Sequence, residues 1–590
     1  MIGAAETLYF GPGEARCFGW YHATAGQGAV GLVICPPLFH EMIAAHRSLQ
    51  HLARSAAQSG FPTLRFDYHG TGDSAGSDLD PHRLEAWLAS VHAACDTLRR
   101  RSGIGAVVLV GVRLGATFAA VAAQRRYDVA GLVLWGPVAS GRGFLRETGA
   151  LARLTAHDDM LAGLPEGAAS ASGFVVAPET AQQLTALDLS QLERRPARRV
   201  LIVPHEDAPG AEATTGALHA RGAEVETRAL PGLSAMLRLP HEATVPTTII
   251  DATIGWVREL EVSTATPPSP PPHPRPVQLL RDECPQDDER LRLADDVEER
   301  PFAVGDRLFG ILTTTTTAHA PPRPAVILAN AGAAYRIGVN RLYVTFARSW
   351  AALGFSVLRL DLGGLGDSAP TASGHENEPY SAWAVSDVEL AANALRAQLG
   401  VQAIVVGGIC SGAHAAFHAA RTLPGISGVL MLNPVVFYWQ PGDSLELGDW
   451  RIYSELRDYR RRLGRWDTWR RLLRGDLRAG PSARALGARV GQLLRSLNTA
   501  LLGRGTHDAG RDLLRMCGDG KGILLLFSNG EPGLDFLRYN HPGDLRRLAK
   551  CPGFRLEVIG TPGHNYPSVR AQHDVLERAT EHLLQWYGAA

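Results

Sequence analysis

The side chains with the most reactive potential lie in the last third of the chain. Cys410 stands in Val-Val-Gly-Gly-Ile-Cys-Ser-Gly-Ala (405–413), a thiol flanked by glycines where an apolar run meets a small-residue segment. Further on, Glu531 closes the run ILLLFSNGE, Asp535 follows four residues later, and His564 lies in the Gly-rich TPGHNYP. Nucleophile, acid and histidine in that chain order suit a triad in which thiol attacks, imidazole takes its proton and a carboxylate fixes the tautomer. Gly408 and Gly412 are centred on Cys410, whereas Ser411 has Ile409 and Ala413 at the same offsets. Cys410 is therefore the expected nucleophile, with either Glu531 or Asp535 as the acid.

That chemistry demands a sharp strand-to-helix turn, with glycines clearing room so that the thiol stands at the carboxyl edge of a sheet. A helix N-terminus and a neighbouring imidazole both favour thiolate. A tetrahedral oxyanion needs two backbone N–H donors. Ser411 is expected to supply one, and the loop NAGAAYRIG, around Gly332, the other. Arg336 and Arg341 beside that loop could meet a substrate phosphate or carboxylate, or pair with acidic residues of the protein. Within a tetrahedral intermediate a thiolate leaves more readily than an alkoxide, so a Cys nucleophile suits thioesters and an acyl-cysteine intermediate.

The positioning elements occur twice. GFPTLRFDYHGTGDSAG (60–76) matches GFSVLRLDLGGLGDSAP (354–370), and VVLVGVRLGATFAA (107–120) matches AIVVGGICSGAHAAF (403–417). Likewise FGPGEARCFGWYH (10–22) matches FAVGDRLFGILTT (302–314), each read as a hairpin. Short β-branched runs alternating with longer Ala/Leu/Arg segments predict parallel strands joined by crossover helices. The chain thus reads as a duplicated α/β domain: residues 1–262, a Pro-rich and charged linker at 263–299, and residues 300–590 with a helical cap at about 437–515. DxxGxGDS lacks the spacing of a dinucleotide fingerprint and the Lys-Ser/Thr ending of a phosphate loop, so no cofactor is expected. In the first copy Arg113 occupies the nucleophile position and Leu233 or Ser234 that of the histidine. A guanidinium cannot attack a carbonyl. This copy is expected to be structural or ligand-binding, with Arg113 holding an anion or pairing with Asp207.

Residues 451–500 hold thirteen arginines against four acidic residues. They read either as a solvated face or as a dock for a phosphate-bearing thioester, on coenzyme A or on an acyl or peptidyl carrier protein. Over all 590 residues, 59 basic side chains balance 59 acidic ones, which gives no field for nucleic acid or an anionic membrane. Seven cysteines are scattered singly, without metal or redox pairing. Apolar runs end far short of the roughly 20 residues that span a bilayer. The expected compartment is a reducing cytosol.

These motifs resemble the α/β-hydrolase superfamily. NAGAAYRIGVNR, LRLDLGGLGDS and GGICSGA in the second half are similar to the first of two hydrolase families associated with exosortase A and exopolysaccharide loci. PPLFHEM, DYHGTGDSAG and GVRLGAT in the first half resemble the second, whose box also carries Arg. The resemblance implies two tandem α/β-hydrolase domains and places Cys410 at the nucleophile position. The expected reaction is acyl transfer or hydrolysis on a thioester within natural-product or surface-polymer biosynthesis. Ester or lactone hydrolysis and non-catalytic ligand binding are the alternatives.

Overall fold

The computed structural model describes residues 5–24, 28–155, 167–207, 210–264, 289–293, 296–317, 323–371, 374–440, 443 and 508–588. The first sheet is built from β1 (Glu6–Phe10), β2 (Cys17–His22), β3 (Val30–Cys35), β4 (Thr63–Phe66), β5 (Ala106–Val112), β6 (Val129–Trp135), β9 (Arg199–Val203) and β10 (Glu224–Thr227). A separate hairpin joins β7 (Ala169–Ala171) to β8 (Phe174–Val176). The second sheet comprises β11 (Leu291–Arg292), β12 (Val297–Val304), β13 (Leu308–Thr315), β14 (Ala325–Ala329), β15 (Ser356–Asp361), β16 (Ile404–Ile409), β17 (Ile426–Leu432), β18 (Gly522–Asn529) and β19 (Phe554–Pro562). β11 and the first residues of β12 fall within the stretch read as linker, because Val297, Glu299 and Phe302 turn inward and build a strand there between β11 and β13.

Strand order is β1-β2-β4-β3-β5-β6-β9-β10 in the first sheet; after β11 it is β12-β13-β15-β14-β16-β17-β18-β19 in the second. An antiparallel pair leads into parallel strands in both, the topology of the α/β-hydrolase fold present twice. VGLVIC (β3) and IVVGGI (β16) are buried along their whole length, as parallel strands covered on both faces must be. The crossover helices Leu114–Ala123 and Ser411–Thr422 are rich in alanine, and the short side chains let each helix lie close on its sheet. No helix among the described residues is long and apolar enough to cross a membrane. Most of the predicted cap, including the arginine-rich stretch 451–500, lies outside the described residues.

The two halves meet across a seam built by the matching loops. In each DxxGxGDS loop the first aspartate accepts the backbone N–H of the second: Asp73 N–H to Asp67 at 2.9 Å, and Asp367 N–H to Asp361 at 3.0 Å. The following serine donates back to the carbonyl of the first aspartate in both copies. A Cβ on Gly72 would lie 1.9 Å from the Asp67 carboxylate, and one on Gly366 2.2 Å from that of Asp361; glycine is the residue that fits. So folded, each loop turns its second aspartate towards the other half. Arg65 pairs with Asp367, and Arg359 with Asp73, the same exchange made in both directions. Trp20 of β2 packs on Phe309 of β13 at 4.6 Å between ring centroids. One apolar cluster joins Tyr335, Ile337 and Val344 to Phe39 and Phe174, so the cores of the halves run together.

Candidate functional site

Cys410 takes φ 56° and ψ −111°, between the end of β16 and the helix that opens at Ser411. Few side chains hold such a conformation without support, and its presence at a strand–helix junction marks a strained turn. A Cβ on Gly408 would meet Gly412 at 2.6 Å, and one on Gly412 the Ala329 carbonyl at 2.5 Å. The flanking glycines are therefore required by close backbone approach. The junction is held from behind by Tyr343, whose hydroxyl accepts the Ile409 N–H at 2.7 Å and donates to the Ala329 carbonyl at 2.9 Å.

His564 follows β19, with Gly563 at φ 116° and Tyr566 at φ 49° shaping its loop. The imidazole Nδ1 is 2.9 Å from Glu531 Oε2, and the Cys410 sulfur lies near enough to the ring for each to shift the other's charge. Cys410, His564 and Glu531 thus lie together in that order, with the hydrogen bond between the last two. Asn433 steadies its far end, donating to the His564 carbonyl at 2.8 Å and to Ser528 Oγ at 3.0 Å. Asp535 sits one turn further along, in the helix Pro532–Asn540, and the partner of His564 is Glu531.

Electrostatics favour a charged pair. Burial pushes the Cys410 thiol up, but His564, Tyr380 and the Ser411 N–H outweigh it and hold the thiol below its ordinary value. Burial likewise opposes charge on His564, yet the Cys410 sulfur and the Glu531 carboxylate raise it well above the usual imidazole value. The two shifts describe thiolate beside imidazolium.

Two walls of the site carry no local signature in the sequence. Tyr380 reaches Cys410 Sγ with its hydroxyl at 3.6 Å and stacks on Trp439 at 4.4 Å between centroids. His414, one helical turn after Cys410, meets Tyr380 edge-on and is kept neutral by burial and His418, its value lowered to about 3. His414 was legible as i+4 from Cys410; Tyr380 and Trp439 come from distant loops that no local pattern ties to Cys410.

The substrate-facing roles expected of four residues are corrected, and for Arg336 the other reading, pairing with acidic residues of the protein, is what the structure has. Gly332 lies beside Ser411, but its N–H donates to the Ser411 hydroxyl at 2.9 Å. Arg336 is 1 % exposed and pairs with Asp73, Asp361 and Asp367, three carboxylates that hold it in the seam. Arg341 is buried too, its guanidinium donating to the carbonyls of Gly72, Ser74 and Gly76 in the first half. Neither arginine is open to a substrate. Arg113 pairs with Glu41 at 2.8 Å and Glu147 at 2.5 Å, while Asp207 accepts from Ser234 Oγ at 2.6 Å. Arg113 is 2 % exposed and its positive charge is already matched, so it offers nothing to a ligand.

Residues 34–157 match the family described as Hydrolase_4: serine aminopeptidase, S33. The match falls on the half whose nucleophile position is Arg113. No curated protein matches the sequence. Among solved structures, the chain is similar to DcsB in complex with its substrate analogue, at 18 % identity over 44 % of this chain and 100 % of that one, TM-score 0.34. It is similar to Est1E from Butyrivibrio proteoclasticus at 16 % identity over 43 % and 99 %, TM-score 0.32. Proline iminopeptidase from Mycobacterium smegmatis is similar at 16 % identity over 44 % and 100 %, TM-score 0.31.

Proposed function

We propose that the second half is a cysteine-dependent acyl-transfer or hydrolytic enzyme acting on thioesters. The observation that carries this reading is the line Cys410–His564–Glu531, with the thiol lowered and the imidazole raised at a strained turn. The Cys410 thiolate attacks the acyl carbonyl, and the Ser411 N–H and the Tyr380 hydroxyl, both already at the sulfur, face the developing oxyanion. As the carbonyl re-forms, the bond to the leaving thiolate breaks and that thiolate takes a proton from His564. The acyl group is then on Cys410. Water or another acceptor attacks next, gives its proton to His564 and releases the Cys410 thiolate. Glu531 holds Nδ1 throughout, so the other ring nitrogen faces the chemistry.

Thioesters are favoured because two thiolates compete evenly as leaving groups, whereas an alkoxide leaves less readily than Cys410. Coenzyme A or a carrier protein would deliver the acyl group, with the arginines of 451–500 as the proposed dock. A second reading, ester or lactone hydrolysis by the same line, is compatible with the hydrolase family matched by residues 34–157 of the other half.

Intact-protein mass spectrometry after incubation with acyl N-acetylcysteamine thioesters separates these readings. An acyl adduct that disappears in Cys410→Ala is the expected result. Turnover of simple esters with no adduct from any thioester would select the hydrolase. A Cys410 unreactive towards iodoacetamide at neutral pH would overturn both in favour of a binding protein.

A further inference from the structure

The loop that carries His564 is held from the first half of the chain. It lies between β19 and the helix Val569–Tyr587, outside any ladder, with two residues at positive φ. Two side-chain amides hold its backbone. Asn340 Nδ2 donates to the carbonyls of Asn565 at 3.0 Å and Tyr566 at 3.2 Å. Gln572 Nε2 donates to the same Tyr566 carbonyl at 3.1 Å, and its second bond, at 2.7 Å, goes to the carbonyl of Gly173 in the first half.

Gly173 is at the tip of the β7–β8 hairpin. Ser172 and Gly173 have φ 52° and 99°, the paired positive values of a two-residue turn. A Cβ on Gly173 would lie 2.4 Å from Asn340 Nδ2, so this tip backs directly onto the amide that holds the His564 loop. Asn340 is anchored from the same side. It and Arg341 are both left-handed, at φ 52° and 62°, and Arg341 is tied to three carbonyls of the first half. The bonds that Asn340 and Gln572 make to the loop end on Asn565 and Tyr566, the two residues that follow His564.

We infer that the first half is the positioning device for the imidazole, with Gly173, acting through Asn340 and Gln572, as its contact point. This gives the copy without a nucleophile a function: it fixes the reach of His564 towards Cys410, where displacement of about 1 Å is enough to lose on the order of a hundredfold in rate. The inference rests on the Cys410–His564 reading proposed above, and it makes Gly173, Asn340 and Gln572 positioning residues.

Iodoacetamide alkylation of Cys410 in the full-length protein, followed by peptide mass spectrometry from pH 5 to 10, tests it without knowledge of the substrate. Asn340→Gly keeps the left-handed backbone and removes only the amide. Gly173→Ala pushes the amide from the first half, and Gln572→Ala removes the bridge. The expected result is a wild-type inflection below the ordinary thiol value and an upward move in all three variants, with alkylation near pH 6.5 slowed about tenfold for each pH unit moved. Unchanged circular dichroism and melting temperature in Asn340→Gly separate positioning from unfolding, and that variant decides the matter if Gly173→Ala does not fold. A depressed wild-type inflection that stays fixed in Asn340→Gly and Gln572→Ala overturns this inference alone. An ordinary wild-type inflection overturns the nucleophile reading and this one with it.

Discussion

Two acids stood within reach of one histidine in the sequence, and only distance separates them. Glu531 is 2.9 Å from His564 Nδ1, whereas Asp535 lies a turn further along. Glu531→Gln would offer a neutral partner and permit the wrong tautomer, so kcat should fall by two to four orders of magnitude. Asp535→Asn should leave kcat within a few-fold; equal losses in both variants would remove Glu531 from the line. The pH profile follows from the paired shifts. Activity should rise as pH passes Cys410, below the ordinary thiol value, and fall only where His564, raised well above the usual imidazole value, gives up its proton. The meeting of Cys410, His564 and Glu531 was legible because each sits next to a strand end that local pattern identifies. A substrate-facing Arg341 was a misreading for the converse reason: the carbonyls that hold it lie more than 260 residues away in the chain.

Among the elements, the strand–helix turn shows which rule the sequence obeys. Arg113 takes φ 52° and ψ −120°, almost the values of Cys410, although it carries no nucleophile. Gly111 and Gly115 flank it, with Cβ positions 2.4 Å from Ala116 and 2.2 Å from the Pro36 carbonyl. The Gly-x-x-x-Gly signature therefore reports the packing of helix on strand, and the chemistry depends on the central residue alone. Gly412→Ala and Gly115→Ala should each destabilise the fold by about 1–3 kcal/mol, measured by urea unfolding. Only Gly412→Ala should also slow alkylation of Cys410. Equal effects on the thiol would mean that the two turns are coupled. Duplication itself was readable, since DxxGxGDS recurs with 294 residues between equivalent positions such as Asp73 and Asp367. Its use was not: each loop closes on its own first aspartate and presents the second to the other half.

At the scale of the molecule, the seam concentrates buried charge: Arg65, Arg336, Arg359, Asp73, Asp367 and Glu299 are all buried. Asp73→Asn removes one carboxylate shared by Arg359 and Arg336, which keep Glu299 and Asp361 with Asp367 respectively, and the unbalanced buried charge should cost about 3 kcal/mol. Acid should weaken the same structure. Burial lowers His22, His414 and His582 to about 3, so each stays neutral when folded and takes a proton when unfolded below about 6.5. Their contribution is whole above about 6.5 and is lost as pH falls towards 3. Asp67, raised to about 6 by burial and Asp73, works the other way, holding a proton in the fold that the unfolded chain releases. Three histidines against one carboxyl leave the unfolded chain binding more protons between about pH 4 and 6. Stability should then drop by on the order of 1–3 kcal/mol per pH unit on acidification. Urea midpoints at pH 7.5, 6 and 5 measure this, and a flat or rising series would mean that the buried histidines are not neutral. His22→Gln should flatten the series: His22 closes β2 beside the Arg65 strand, where a second positive charge cannot be matched.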